Sequence, residues 1–132
     1  MTRIKTSEHG SSPFQRLFHS EEILQRWTDL AESVSANGQL SKELKENVRR
    51  VLAFGNGCSY CQAKGSPLKA AEVKESYAIG FAEVFLTQRE KTGEQFFLVL
   101  KEVLSDEEIS ELLAFICFTT AQQYFGALME LK

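Results

Sequence analysis

Cys58 and Cys61, in the run Gly55-Asn56-Gly57-Cys58-Ser59-Tyr60-Cys61, are the residues whose type and spacing carry chemistry. Two thiols three residues apart on the first turn of a helix can close a disulfide or act as thiolates, so the pair points to redox work. The thiolate is the reactive form, and a free cysteine, with a pKa of about 8.5, is mostly protonated at neutral pH. A helix N-terminus offers unpaired amides and a partial positive charge of roughly half a unit, which favours Cys58 as the activated thiol. Read for packing alone, the same two cysteines are small buried residues.

Three cysteines in 132 residues do not make a disulfide scaffold, and a close pair plus the distant Cys117 suits redox cycling better than stapling. Cys117 sits inside an apolar run and reads as a core or interface residue. A zinc site needs Cys117 as a third ligand and His9 or His19 as a fourth, brought together from two distant segments. No metal and no cofactor is expected.

Charged residues make up 25% and hydrophobic ones 43% of the chain, ordinary for one globular domain, and a formal charge of −3 gives no electrostatic footprint for nucleic acid. The longest apolar run, Leu112 to Phe118, is far shorter than the roughly 20 residues a membrane span needs. Met1 to Ser12 is polar, with Arg3, Lys5 and Glu8 and no apolar stretch of a secretory signal, so a cytoplasmic location is expected.

The elements that must hold the pair read as helices throughout, because no window alternates apolar and polar residues between hairpin turns. Ser20, followed by Glu21 and Glu22, caps a first helix with Ile23, Leu24, Trp27, Leu30, Ala31 and Val34 as its apolar face; Asn37-Gly38 ends it. Ser41 caps a second, with Leu44, Val48, Val51 and Leu52 on one side and Glu46 on another, where periodicity alone makes it a solvated carboxylate. Gly55 and Gly57 break that helix, and a short segment carries Cys58, Tyr60, Cys61 and Ala63 to Gly65. Ser66-Pro67 is expected to restart a helix running to about Lys91, with Ala71, Val73, Tyr77, Ala78, Phe81, Val84 and Phe85 as its core side. Glu94 to Leu104 forms a shorter amphipathic segment. Ser105 and Glu108 make a capping box for a last helix reaching about Leu131. That helix is apolar nearly all round in its middle, which calls for a central position or a neighbouring subunit.

Glu46, eleven residues, then Cys58-Ser59-Tyr60-Cys61 resembles the AhpD-like branch of the carboxymuconolactone decarboxylase superfamily. The stretches Glu75 to Thr87 and Leu104 to Leu112 are similar to that superfamily's later helices, and the resemblance covers roughly Glu21 to Leu131. It implies an all-α, AhpD-like helical domain of about six helices over residues 20–132, behind a polar, partly disordered segment 1–19, assembled as a homotrimer or homohexamer. It also implies a thiol-dependent peroxidase that reduces a hydroperoxide substrate with electrons from a dithiol reductant, a lipoylated or thioredoxin-like protein. On matching positions Cys61 becomes the peroxidatic thiol, Cys58 the more exposed resolving thiol, and Glu46 the group that takes the proton. This order is the reverse of the helix-end argument, and both orders stand at this level.

The chain departs from the pattern where imidazoles belong. The family's His four residues after the second cysteine is Gly65 here, and the His directly before that cysteine in some members is Tyr60; His9 and His19 have no matching place. Loss of a general base costs on the order of 100- to 10,000-fold in rate. Tyr60 as a hydrogen-bonding relay and Lys64 as a thiolate-stabilising cation are the substitutes the sequence offers. Two alternatives to the peroxidase follow: an oligomeric redox sensor or binding protein that keeps the dithiol without turnover, and an enzyme of the decarboxylase branch, whose chemistry needs no Cys-x-x-Cys.

Overall fold

A computed structural model describes residues 1–132 and contains six α-helices and no strands. They are α1 (Glu21–Ser35), α2 (Lys42–Gly55), α3 (Ser59–Gln62), α4 (Val73–Gln88), α5 (Glu94–Leu100) and α6 (Asp106–Leu128). No helix is long and apolar enough to cross a membrane.

The expected caps form. The Ser20, Ser41 and Ser105 hydroxyls accept the amides of Ile23, Leu44 and Glu108, and the Glu108 carboxylate accepts the Ser105 amide in return, closing the capping box. Each such cap satisfies amides that a helix start leaves free and contributes about 1 kcal/mol.

α2 is the central element. Leu44, Val48, Val51 and Leu52 fall on one face and are buried against α4 and α6, with Phe81, Leu112 and Ile116 in the same core. Each fully buried aliphatic side chain of this kind contributes about 1.5–3 kcal/mol. Glu46, Arg49 and Arg50 follow one another at helical spacing on the opposite face, outside that core.

Two expectations about the helices are corrected. Ser66-Pro67 starts no helix: residues 66–72 form an irregular connection, and α4 begins at Val73. The reason is a set of side chains that take the connection's backbone groups in place of helical bonds. Asn47 donates to the Leu68 carbonyl (2.8 Å) and accepts the Leu68 amide (2.7 Å), while Glu75 accepts the Ala71 amide (3.1 Å). The apolar face of α1 is also less buried than its pattern demands. Trp27, Ala31 and Val34 are half-buried, but Ile23 and Leu30 lie exposed.

The segment before α1 makes a 3-10 turn at Gln15–Leu17 and buries Leu17 and Phe18. Its Arg3 amide donates to the Met129 carbonyl just beyond α6. Phe14 and Phe18 join Trp27 of α1 and Phe125 of α6 in an aromatic cluster whose neighbouring ring centroids lie 4.9–6.0 Å apart. Aromatic pairs in this range add about 0.5–1.5 kcal/mol beyond their buried area.

Candidate functional site

The turn that presents the cysteines is built from two backbone features. Asn56 closes α2 by donating its amide to Leu52, and Gly57 then takes a left-handed φ of 68°, which glycine adopts at no steric cost. Cys58 follows in extended conformation as the N-cap of α3, its sulfur accepting the Cys61 amide at 3.2 Å. The two cysteines are joined as a disulfide with their Cα atoms 5.2 Å apart. That separation lies well inside the range a disulfide spans without backbone movement.

Polar side chains anchor the turn from below. Buried Asn56 donates to Gln123 (2.8 Å) and accepts from Arg89 (2.8 Å), while Gln123 donates to the Arg49 carbonyl (3.1 Å). No buried side-chain nitrogen or oxygen is left without a partner. On the α6 side, Gly126 allows close approach: a Cβ there would sit 3.1 Å from the Cys58 sulfur.

The two sulfurs differ in access. Cys58 is 0% exposed and Cys61 is 8% exposed. This reverses the order of exposure that the resemblance implies, because Gly126 of α6 covers Cys58 and leaves Cys61 toward open space. Cys61 lines two cavities, of about 490 and about 340 Å³. Cys117 is exposed on α6, outside the core of a single chain, so of its two readings the core one fails. No cluster of three or more His, Cys, Asp or Glu side chains is assembled, so the four-ligand zinc arrangement is not formed.

Glu46 shares the larger cavity with Cys61 but is already engaged. Arg49 binds it through two bonds (2.7 and 2.9 Å) and Arg50 through a third (2.9 Å). The Arg49 guanidinium holds the Glu46 carboxyl below its usual value of 4.5; burial opposes this, and Arg50 adds to it. A carboxylate so held is a poor proton acceptor. Arg49 also donates to the Cys61 carbonyl at 3.1 Å and so ties the carboxylate to the cysteine turn.

Lys64, one turn beyond Cys61, lines both cavities, and its ammonium lies 4.9 Å from the centroid of the Tyr60 ring. Burial, then the charge of Arg49, pushes its pKa below the ordinary lysine value, with Glu46 pulling the other way. Tyr60 is half-buried and lines only the smaller cavity. Position 65, where the resemblance implies a histidine, leaves little room for a side chain. Gly65 has φ of 138°, and a Cβ there would come within 2.8 Å of the Arg50 guanidinium, which donates to the Ser66 carbonyl.

Arg49 and Arg50 are the site residues that sequence reasoning missed. Their spacing of three and four residues from Glu46 on one helix carried the signal, since such positions face each other. The larger cavity is thereby cationic, with Lys42, Lys45, Arg49, Arg50 and Lys64 against Glu43 and Glu46, in a chain whose overall formal charge is −3.

Comparisons with protein-family models, with curated proteins and with solved structures give no match to this chain.

Proposed function

We propose that the protein is a thiol-dependent peroxidase and disulfide oxidoreductase of AhpD-like type, working through Cys61 and Cys58. One observation carries the reading: the two sulfurs are within disulfide reach, and only Cys61 lines the cavities. In the cycle, the Cys61 thiolate attacks the terminal oxygen of a hydroperoxide. The S–O bond forms as the O–O bond breaks, sulfur is oxidised to the sulfenic acid, and the alkoxide leaves as an alcohol once protonated. The Cys58 thiol then attacks the sulfenic sulfur, the S–S bond forms and water departs. A partner dithiol, lipoylated or thioredoxin-like, exchanges with the disulfide and is itself oxidised.

The missing imidazoles are offset electrostatically in this reading. Positive charge beside a cysteine favours thiolate over thiol, and Arg49, Arg50 and Lys64 supply it in place of a base that removes the proton. Glu46 then acts as a positioning residue that holds the two guanidinium groups, and Tyr60 supports the Lys64 ammonium. The proposal extends to a homotrimer or homohexamer in the cytoplasm, on the same resemblance and on the exposed apolar residues of α1 and α6.

Turnover of hydroperoxide by the reduced protein, with dihydrolipoyl or thioredoxin-type dithiols, tests it. Cys61→Ser is expected to abolish turnover and Cys58→Ser to stop the cycle after one equivalent of peroxide. Equal, slow consumption by wild type and Cys61→Ser would sink the enzymatic reading. It would favour the second one, a redox sensor whose dithiol closes without turnover, for which the already engaged Glu46 carboxylate is the supporting observation.

A further inference from the structure

The two cavities that meet at Cys61 differ in charge and in their aromatic content. Ser35, Cys61, Lys64 and Gln122 line both, so the two spaces adjoin at Cys61. The larger is cationic, and of its cations Lys42 and Lys64 have no carboxylate partner, whereas Lys45 pairs with Glu111 and both arginines pair with Glu46. The smaller has an apolar wall of Phe14, Phe18, Leu24, Trp27 and Ala31, from the N-terminal segment and α1, with Glu32 its one carboxylate and no cation besides the shared Lys64. Gln122 stands between them, its side-chain oxygen accepting the Trp27 indole N–H at 2.9 Å. Both volumes lie in the range of pockets that enclose small organic ligands, about 300–1,000 Å³.

We infer that the molecule reduced at Cys61 is an anionic amphiphile, the hydroperoxide of a free carboxylic acid with a hydrocarbon chain. Its carboxylate lies in the cationic cavity against Lys64, and its chain lies along the aromatic wall. A charged head is drawn by unpaired cations in a partly desolvated cleft, and the chain gains about 25 cal/mol per Å² of apolar surface removed from water. The hydroperoxide group is then held between the two, at the sulfur. A net-cationic cleft beside an aromatic wall, meeting at the cysteine, favours a molecule that carries both an anionic head and an apolar chain. An ester-bound acyl chain lacks the carboxylate and is not the ligand.

The inference rests on the peroxidase reading for its chemistry, but its binding half is measured without turnover. Trp27 is the sole tryptophan and lines the aromatic cavity, so its fluorescence reports occupancy. The oxidised protein is titrated with decanoate, decan-1-ol and decyltrimethylammonium below micellar concentrations. Decanoate is expected to bind at least about tenfold more tightly than the other two, about 1.4 kcal/mol. Lys64→Gln is expected to remove most of that preference, and Leu24→Gln to weaken all three ligands together. In turnover, a fatty-acid hydroperoxide is expected to show about tenfold higher kcat/KM than its methyl ester, mainly through KM. Equal binding of the three amphiphiles, or equal kcat/KM for acid and ester with peroxidase activity intact, overturns the inference and leaves the peroxidase reading standing. Selective decanoate binding in a protein that turns over no hydroperoxide upholds the site and overturns the peroxidase reading.

Discussion

At the scale of single residues, position 65 is set by its backbone and by its neighbour. Position 65 combines a φ of 138° with an Arg50 guanidinium at 2.8 Å from any added Cβ, so a histidine there meets both backbone strain and a clash. Strained backbone of this kind costs on the order of 1–3 kcal/mol for a non-glycine residue. Gly65→His is therefore expected to lower stability by about 2 kcal/mol and to leave peroxide turnover no higher than wild type. Urea unfolding and steady-state kinetics on one preparation check both halves, and a stable, faster Gly65→His protein would contradict the account. The pair Cys58 and Cys61 was legible in the sequence as a residue type at a spacing, whereas periodicity made Glu46 a solvated carboxylate and only the resemblance placed it near the cysteines. The engagement of Glu46 by Arg49 and Arg50, one turn further along α2, was not read.

At the scale of elements, local signals predicted the helix starts well and one connection badly. Ser20, Ser41 and Ser105 cap where their chemistry placed them, because a cap is settled by residues within three positions. Ser66-Pro67 carries the same local signal and fails, because Asn47, some twenty residues away on α2, holds the Leu68 backbone in both directions. The capping box of α6 yields a prediction with a sign. Lys74 donates to Glu108 at 2.7 Å and, with the Ser105 amide, holds its carboxyl below 4.5 against the effect of burial. A folded-state value below the unfolded one means stabilisation that is complete above about pH 4.5 and is lost as pH falls through the folded value. Glu108→Gln keeps the side-chain oxygen but not the charge. It is expected to lower stability by about 1 kcal/mol at pH 7, with the deficit shrinking as pH falls through the folded value. Denaturant midpoints followed from pH 7 into acid decide it, and a deficit that does not shrink as pH falls would refute the charge as its source.

At the scale of the whole molecule, the apolar residues left outside the core bear on assembly. Ile23 of α1 is 55% exposed and Leu128 of α6 is 72% exposed, and with Trp27 and Tyr124 they line one apolar groove. A stable interface covers roughly 800 Å² per partner, and the proposed homotrimer or homohexamer gives such residues a place. Light scattering is expected to return a mass of three or six chains, and the double variant Ile23→Asp, Leu128→Asp to shift it toward one chain with helical content preserved. A wild-type mass of one chain would remove the assembly from the proposal.

The sequence by itself determined the helical class, the capped starts of α1, α2 and α6, and the Cys58–Cys61 pairing, because these depend on neighbours within a turn or two of the chain. Tertiary structure decided the rest. It buried Cys58 beneath Gly126 of α6 and left Cys61 at the cavities, inverting the order of access the resemblance implied. It closed Arg49 and Arg50 onto Glu46 and set an aromatic wall beside a cationic one at a single sulfur. Which face of a short turn meets solvent depends on what packs over it from some 65 residues away, and no local periodicity encodes that.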